Sequence, residues 1–175
     1  IGREIARLLQ ALGARVLAAK RDAMVPQDTG YVIPGLGDPG GDLFHRLYPY
    51  QAVRSMMKEC DFVVVAVPLT PETRGMIGPH ELATMKPDAR LINTARGGIV
   101  DETALAAALR AGHLGGAAVD VFEQEPYTGE LIGLENCLLT CHMGSCSLDC
   151  RVRMEREATE EAVRFVQNQP LQGLV

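Results

Sequence analysis

The sequence lacks tryptophan altogether, and aromatic residues make up only 5% of its 175 residues. Aliphatic side chains must therefore build the core. Hydrophobic residues account for 47% and charged residues for 22%, a balance typical of one globular domain rather than a disordered or fibrous chain. No apolar run approaches the roughly 20 residues of a membrane-spanning helix, and no secretory signal opens the chain, so we expect a cytoplasmic protein without a membrane partner.

A surplus of positive charge is also missing, because 17 basic residues stand against 22 acidic ones and the net charge is -5. The basic residues are scattered along the chain, whereas nucleic-acid-binding proteins concentrate them on one face. We therefore expect no nucleic-acid partner. The five cysteines are an odd number in a chain without a secretory signal, which predicts reduced thiols and no disulfide framework.

The chain does not begin with methionine, and its first residues enter a helical pattern that no strand precedes. Ile5, Leu8 and Leu12 share one face of that helix, and Gly13 can end it in a left-handed conformation. We expect the strand that would precede this helix to lie upstream of Ile1.

Strand and helix patterns then alternate. The apolar run over 61–67, which Pro68 stops, is typical of a parallel strand buried on both faces. The other predicted elements are strands over 15–19, 90–94, 116–121 and 137–140, helices over 51–59, 79–85 and 148–167, a helix capped by Asp101 that runs to about residue 111, and a loop over 22–42. This order predicts an α/β fold with a doubly wound parallel sheet, Rossmann-like and truncated at its first strand.

Two glycine patterns compete for the role of a phosphate-binding turn. Residues 35–40 read G-L-G-D-P-G and match G-x-G-x-x-G, but they follow no strand and open no helix, so we reject them. Gly2 instead stands where a helix begins, and we interpret it as the third glycine of a motif whose first two lie upstream of Ile1. An ordinary glycine at a helix start is the alternative.

The predicted strand over 15–19 ends where a dinucleotide-binding domain reads the adenosine ribose. Lys20 and Arg21 stand there instead of an acidic residue, and cations pair with a 2′-phosphate rather than with a ribose hydroxyl. The cofactor is therefore predicted to be NAD or NADP, with a slight preference for NADP. Alternatively, both residues are solvated surface cations whose charge Asp22 weakens.

Three segments at predicted strand ends carry the chemistry. They read N-T-A-R-G-G-I-V-D at 93–101, D-V-F-E-Q-E-P at 120–126 and T-C-H-M-G-S at 140–145. Together they closely resemble the D-isomer-specific 2-hydroxyacid dehydrogenase family, which includes phosphoglycerate, glyoxylate/hydroxypyruvate and phosphite dehydrogenases. The resemblance covers nearly the whole chain and implies hydride transfer between a nicotinamide cofactor and a small D-2-hydroxy or 2-keto acid.

By this resemblance three residues are catalytic. Arg96 would hold the substrate carboxylate and polarise the carbonyl, a task that suits the planar fork of a guanidinium. His142 would be the general acid and base, and Glu125 would hydrogen-bond its other ring nitrogen and favour the imidazolium. Glu123 is the neighbouring acid most easily confused with Glu125, and we interpret it as a solvated loop acid.

The resemblance also implies contacts to the pyrophosphate, the adenosine, the nicotinamide ribose and the carboxamide. These contacts are Ile1, Gly2, Val67, Pro68, Thr94, Ala95, Asp120, Gly144 and Ser145, with Thr73 as a further candidate that can instead cap a turn. Plain packing at the strand ends is the alternative for each. The chain departs from the family in Cys141, which replaces a proline before the histidine, and in a short segment over 127–135.

Two other functions compete with the enzyme. Cys137, Cys141, His142, Cys146 and Cys150 could form a metal site, but their spacing differs from that of zinc knuckles, so we expect no metal. A nucleotide-sensing, non-catalytic binding module similar to the family's transcriptional corepressors would keep the same polar residues. Activity with 2-keto acids distinguishes the enzyme from such a module.

The family resemblance further implies a separate substrate domain, which would lie upstream of Ile1. We therefore expect residues 1–175 to be the dinucleotide-binding domain, to be inactive alone and to bind dinucleotide weakly. The residues that recognise the side chain of the substrate would lie upstream as well. A homodimer through the nucleotide domains is implied, and the Ala-rich helix after Asp101 could supply its surface.

Overall fold

A computed structural model describes residues 1–28, 30, 33 and 35–172 of the chain. In these residues the helices are α1 (Gly2–Ala11), α2 (Val53–Met57), α3 (Pro79–Leu82), α4 (Glu102–Arg110) and α5 (Leu148–Val166), and Tyr50–Ala52 forms a 3-10 turn. The strands are β1 (Leu17–Lys20), β2 (Arg46–Pro49), β3 (Phe62–Val65), β4 (Arg90–Asn93), β5 (Gly116–Val119) and β6 (Cys137–Leu139).

All six strands pair in parallel. Strands β3, β4, β5 and β6 form one sheet in that order, and β1 pairs with β2 in a second sheet. In register, Val65 lies beside Asn93, and Asn93 lies beside Val119. Because parallel strands end at a common edge, the loops that follow them meet there, which is where folds of this type bind ligands. The predicted α/β, Rossmann-like fold is confirmed.

Local signals explain where several helices begin and end. The Asp101 carboxylate accepts a hydrogen bond from the Ala104 N–H at 2.9 Å and so caps α4, as predicted. Gly112 follows that helix at φ 65°, and Gly13 follows α1 at φ 84°. Both values lie in the left-handed region that glycine tolerates best, so both helices stop where the sequence predicts.

The sequence pattern did not predict β2. Its four residues include a proline and show no long apolar run, and the segment becomes a strand through its register with β1, in which Ala18 lies beside Leu47. Of the loop predicted over 22–42, residues 29, 31, 32 and 34 lie outside the described residues, and the others contain no helix or strand.

Other predicted bounds are wrong by a few residues. The strand predicted over 61–67 ends at Val65, because its partner β4 ends at Asn93 and offers no further ladder. The strands predicted over 116–121 and 137–140 end early in the same way, at Val119 and Leu139. The helix predicted over 51–59 is a 3-10 turn followed by the five residues of α2, and the one predicted over 79–85 ends at Leu82.

The core lies between the four-stranded sheet and helices α3 and α4. Leu82, Leu91 and Leu105 are each at most 1% exposed, and Ile99 on the loop after β4 has no exposed surface. The apolar face of α4 thus packs against the sheet. Burial of this kind fixes α4 beside the loops that follow β4 and β5.

Helix α5 has no buried residue among those described, although its apolar residues recur at helical spacing. Leu148 and Phe165 on this helix are 79% and 71% exposed. Within the described part of the chain, no helix combines the length and the apolar composition needed to cross a bilayer.

Shortening Leu91 should destabilise the domain far more than shortening Leu138. Leu91 has no exposed surface in the interior strand β4, whereas Leu138 in the outer strand β6 is 65% exposed. Leu91→Ala leaves a cavity and should lower the free energy of unfolding by about 2 to 5 kcal/mol, against less than about 1 kcal/mol for Leu138→Ala. Urea unfolding followed by circular dichroism measures both variants, and equal losses would contradict this placement of the core.

Candidate active site

The loop after β4 carries Arg96 and is braced by a buried amide. Asn93 is 2% exposed; its Oδ1 accepts a hydrogen bond from the Ala95 N–H, and its Nδ2 donates to the Arg96 carbonyl, both at 3.2 Å. These two bonds fold the chain back at the strand end. Arg96 itself is exposed and donates from Nη1 to the Ala95 carbonyl at 2.7 Å. No carboxylate of the described residues forms an ion pair with it.

Gly97 brings the Arg96 loop against the loop after β5. A Cβ atom on Gly97 would lie 2.0 Å from the carbonyl carbon and oxygen of Phe122, a distance that no side chain can occupy. The missing side chain therefore allows two backbone segments to touch. This contact sets Arg96 beside the segment that carries Glu125.

Glu125 and His142 form a hydrogen-bonded pair. Glu125 Oε2 lies 3.0 Å from His142 Nδ1, and the side chains are 40% and 46% exposed. The Phe122 N–H, which donates to Glu125 Oε1 at 3.0 Å, and then His142 lower the pKa of Glu125, so the carboxylate is ionised at neutral pH. An ionised carboxylate only accepts, so Nδ1 of His142 is the donor and Nε2 is left to act on a ligand.

Asp120 holds the turn that presents His142. This carboxylate is 8% exposed and accepts hydrogen bonds from Thr140 Oγ1 at 2.5 Å, from the Met143 N–H at 3.0 Å and from the Gly144 N–H at 3.2 Å. The His142 N–H donates to the Asp120 carbonyl at 2.8 Å. Burial tends to raise the pKa of Asp120, but these hydrogen bonds outweigh it and the pKa is lowered.

His142 has a φ of 54°, in the left-handed region that costs a non-glycine residue about 1 to 2 kcal/mol. The bonds to Asp120 on both sides of His142 compensate for this cost. In this conformation the imidazole Nδ1 lies 3.0 Å from Glu125 Oε2. Asp120 is thus a positioning residue in this structure, whereas the sequence predicts it only as a contact to the carboxamide.

The other predicted cofactor contacts lie along the carboxyl edge of the sheet. Gly2 begins α1, and a Cβ atom on it would lie 3.4 Å from the Ala66 Cβ just after β3, so the helix N-terminus packs at the same edge. Free N–H groups at such an N-terminus suit a pyrophosphate. The remaining predicted contacts follow the strands or precede α1: Ile1, Val67, Pro68, Thr94, Ala95, Gly144 and Ser145. The residues present therefore fit a dinucleotide.

Thr73 closes a turn. Its hydroxyl donates to the Pro68 carbonyl at 2.7 Å and accepts from the Thr70 N–H at 2.8 Å. Both partners belong to the loop after β3, so the hydroxyl is engaged by its own loop.

Lys20 and Arg21 differ in what they contact. The Lys20 Nζ donates to the carbonyls of Val25 and Gln27 at 2.6 and 2.8 Å and so ties the following loop to β1. Arg21 is exposed. A hydrogen bond with Thr70 is the main cause that lowers the pKa of the Glu72 carboxyl, and the charge of Arg21 lowers it a little further. The two cations predicted together thus have separate roles in the structure.

The loop after β1 folds over the first turn of α1. Arg3 bonds to the carbonyls of Pro26 and Asp38 and pairs with Asp28 at 3.1 Å. Glu4 accepts from Arg7 and from the Gly37 N–H, and these contacts lower its pKa from 4.5 to about 2. The rejected glycine motif over 35–40 therefore directs an N–H to a carboxylate of the protein and opens no helix.

Two clefts meet at the Glu125–His142 pair. The smaller, of about 440 Å³, contains several charged side chains and is lined by Leu69, Arg74, Arg96, Gly97, Phe122, Glu123, Glu125 and His142. The larger, of about 800 Å³, is apolar and includes Tyr127, Ile132 and Met143. The smaller cleft thus brings together two guanidinium groups, two carboxylates and an imidazole. A guanidinium can bind an anion, and an imidazole can transfer a proton.

The cysteines form no metal centre in the described part of the chain. Cys60, Cys137, Cys141, Cys146 and Cys150 are free thiols, and no group of three or more metal-binding side chains comes together there. The predicted absence of a metal stays a prediction.

Comparison with known proteins identifies the family. Residues 1–144 match the NAD-binding domain of the D-isomer specific 2-hydroxyacid dehydrogenases. The chain belongs to this family, as the three strand-end segments predict, and its cofactor is a nicotinamide dinucleotide.

Individual relatives extend the match. The chain is 46% identical over 117 residues to a glyoxylate reductase of Thermococcus gammatolerans, covering 66% of this chain and 35% of the relative. It is 42% identical over 156 residues to an (S)-sulfolactate dehydrogenase of Chromohalobacter salexigens, covering 88% and 46%. The chain thus spans less than half the length of these relatives.

Solved structures share the fold. A D-isomer specific 2-hydroxyacid dehydrogenase family protein of Aeromonas salmonicida aligns with a TM-score of 0.79 at 30% identity, covering 100% of this chain and 52% of that one. An NADPH-dependent glyoxylate/hydroxypyruvate reductase of Sinorhizobium meliloti, solved with NADP and sulfate, aligns with a TM-score of 0.78 at 27% identity, covering 99% and 52%.

Sequence reasoning missed Asn93, Gly97 as a contact point, and Arg74. A buried amide that ends an apolar strand is a signal that could have pointed to Asn93, because such a group must find partners. Arg74 gave no signal, since it follows Thr73 in a loop and only the fold brings it to Arg96. Glu123, predicted as a solvated loop acid, is exposed but pairs with Arg74 at 3.0 Å.

Replacing the Asp120 carboxylate should loosen the His142 turn in a pH-dependent way. Asp120→Asn removes the charge and replaces one of the two accepting oxygens by an NH2 donor, which cannot accept from a backbone N–H, and it should lower the free energy of unfolding by about 1 to 3 kcal/mol at neutral pH. Because the folded pKa is lowered, the contribution of Asp120 is fully present above its ordinary value of 3.8 and is lost as the pH falls through the folded pKa.

Urea unfolding of the wild type and the variant at about pH 6 and about pH 3 measures this difference. We expect the gap between the two proteins to shrink at the lower pH. Asp88→Asn, in the exposed turn before β4, is the control and should show little difference at either pH. A gap that is constant across this pH range would contradict an ionised Asp120 in the folded state.

Proposed function

We propose that the protein containing this chain is an NAD(P)-dependent dehydrogenase that interconverts a small 2-keto acid and its D-2-hydroxy acid. The observation that carries the proposal is the Glu125–His142 hydrogen bond in the same cleft as Arg96. The glyoxylate reductase and the (S)-sulfolactate dehydrogenase to which the chain is similar support the same class of activity.

Arg96 would bind the substrate carboxylate. Its guanidinium is exposed to the cleft and lacks a carboxylate partner among the described residues, so its charge is available to a ligand. The planar fork can hold the carboxylate and reach the neighbouring carbonyl oxygen, which polarises the carbonyl. Asn93 and Gly97 would keep this fork in position by shaping its loop.

His142 would move the proton. With Nδ1 bound to Glu125, its Nε2–H can donate to the carbonyl oxygen during reduction and take the proton back during oxidation. The Glu125 carboxylate stabilises the positive charge of the imidazolium and fixes the ring orientation. When bound, the reduced dinucleotide supplies the hydride for the carbonyl carbon.

The cofactor would lie along the carboxyl edge of the sheet. Gly2 and the α1 N-terminus would face the pyrophosphate, and the residues after β3 and β4 would line the adenosine and nicotinamide ribose. We propose NADP as the preferred form and Arg21 as the residue for the 2′-phosphate, since Lys20 is already bonded to two carbonyls.

Residues 1–175 would be the dinucleotide-binding domain of a longer protein. Among the described strands, no ladder joins the β1–β2 pair to the four-stranded sheet. This gap is expected if a further strand of the protein lies beside both β1 and β3 and completes one continuous sheet. The substrate domain would belong to the part of the relatives that this chain does not match. A homodimer through this domain stays a prediction. Leu105 and Leu109 of α4 are buried inside the domain, so a dimer contact through α4 would use the opposite, outer face of the helix.

Removing the imidazole should abolish most turnover. In the protein that contains this chain, His142→Gln should lower kcat for glyoxylate reduction by about 100-fold or more, because the carbonyl oxygen loses its proton donor. His80→Gln, at an exposed position of α3, is the matched control and should leave kcat unchanged. Full turnover by His142→Gln would refute the mechanism, and absence of activity in the wild type with any 2-keto acid would favour the nucleotide-sensing module.

Neutralising Arg21 should change the preference between the two dinucleotides. Arg21→Gln should weaken NADPH binding about tenfold and leave NADH binding unchanged, because only NADPH carries the phosphate that the guanidinium would hold. Arg15→Gln, an exposed position before β1, is the control. Fluorescence titration gives both dissociation constants, and equal affinity of the wild type for NADH and NADPH would contradict the preference.

A further inference from the structure

The smaller cleft contains a second arginine besides Arg96. Arg74 lines the same cleft as His142, and its side chain is 57% exposed. It lies in the loop after β3, whereas Arg96 follows β4. Two guanidinium groups from neighbouring strand ends therefore line one small cleft, together with the carboxylates of Glu123 and Glu125. Because Glu125 is bonded to His142 and Glu123 to Arg74, an anion can reach both guanidinium groups when it displaces Glu123 from Arg74.

The fold fixes the position of Arg74. The Thr73 hydroxyl closes the turn before it by bonding to the Pro68 carbonyl at 2.7 Å, and the Gly75 N–H after it donates to the Gly98 carbonyl at 2.8 Å. Arg74 is thus held between a closed turn and the loop that carries Arg96. Its guanidinium is presented to the cleft from a short, hydrogen-bonded segment.

Gly98 leaves room for this guanidinium. Its φ is 76°, a left-handed value that favours glycine, and a Cβ atom on it would lie 3.0 Å from Arg74 Nη1. The second glycine of the T-A-R-G-G segment therefore serves Arg74, while the first serves the contact with Phe122. Both guanidinium groups depend on the same tight turn.

The current partner of Arg74 is exchangeable. Arg74 Nη1 donates to Glu123 Oε1 at 3.0 Å, and the Glu123 side chain is 68% exposed. An exposed ion pair of this kind contributes little to stability, and one bond uses only part of the donor capacity of a guanidinium. The Glu123 N–H is anchored separately by Glu102 Oε1 at 2.7 Å, so the loop keeps its place if the side chain of Glu123 moves.

We propose that Arg74 is a specificity-determining residue that binds a second anionic group of the substrate, at the end remote from the carboxylate held by Arg96. The preferred substrates are then 2-keto acids with a terminal carboxylate or sulfonate, and Glu123 competes with that group for Arg74. This inference rests on the proposed dehydrogenase function. It assigns part of the side-chain recognition to this domain, whereas the family resemblance implies that all of it lies upstream.

The test compares three substrates on one carbon frame in the protein that contains this chain. Pyruvate has an uncharged methyl group, oxaloacetate adds a carboxylate at that carbon, and 3-sulfopyruvate adds a sulfonate. The measured quantity is kcat/KM for each dianion divided by kcat/KM for pyruvate. Oxaloacetate and 3-sulfopyruvate distinguish which anion the site prefers.

Two substitutions should move this ratio in opposite directions. Arg74→Gln should lower it about tenfold for at least one dianion, because a charge-assisted bond is lost, and Glu123→Gln should raise it severalfold by removing the competitor. High salt should reduce the ratio of the wild type and have less effect on that of Arg74→Gln. Arg110→Gln, which removes an exposed ion pair with Glu130 remote from this cleft, should leave the ratio unchanged.

Opposite shifts of this kcat/KM ratio in Arg74→Gln and Glu123→Gln support the inference. Equal losses for all three substrates, or an unchanged ratio in both variants, overturn it and make the Arg74–Glu123 pair a structural contact, while the dehydrogenase function stands. A wild type that turns over none of the three, nor glyoxylate, overturns the proposed function and this inference together.

Discussion

The Asp120 carboxylate organises the site. It lies at the end of an interior strand, is almost fully buried, and accepts hydrogen bonds from a side chain and two backbone N–H groups of the segment over 140–144. Without those acceptors the left-handed conformation of His142 would lack compensation. The imidazole depends on this turn for its hydrogen bond to Glu125, so the geometry of the pair proposed to transfer the proton rests on the Asp120 carboxylate as well.

A second constraint is the common edge of the parallel strands. The last residues of β4, β5 and β6 are neighbours in the sheet: Asn93 pairs with Val119, and Val119 pairs with Leu139. The loops that follow these three strands therefore begin side by side. Gly97 then permits the first two of these loops to touch at Phe122. Residues that are 29 and 46 positions from Arg96 in sequence are brought into one cleft in this way.

The catalytic candidates could be predicted from the sequence because their local settings are distinctive. Arg96 precedes two glycines, Glu125 precedes a proline, and His142 follows a buried strand, and each setting is a short pattern that needs no knowledge of distant contacts. The helix ends at Gly13 and Gly112 could be predicted for the same reason, since the left-handed region is a property of one residue. Strand bounds were less accurate because a ladder ends where its partner ends.

The sequence by itself determined the α/β order, the family and the identity of the three polar residues, because periodicity and short motifs are local properties of the chain. Only the tertiary structure decided that β2 is a strand and that Asp120 supports the turn at His142. It also decided that the Lys20 ammonium, and not the Arg21 guanidinium, is hydrogen-bonded to the carbonyls of Val25 and Gln27. It also decided that Arg74 shares the cleft with Arg96. These facts depend on contacts between residues distant in sequence, and such contacts exist only when packing and hydrogen bonding bring separate strand ends together.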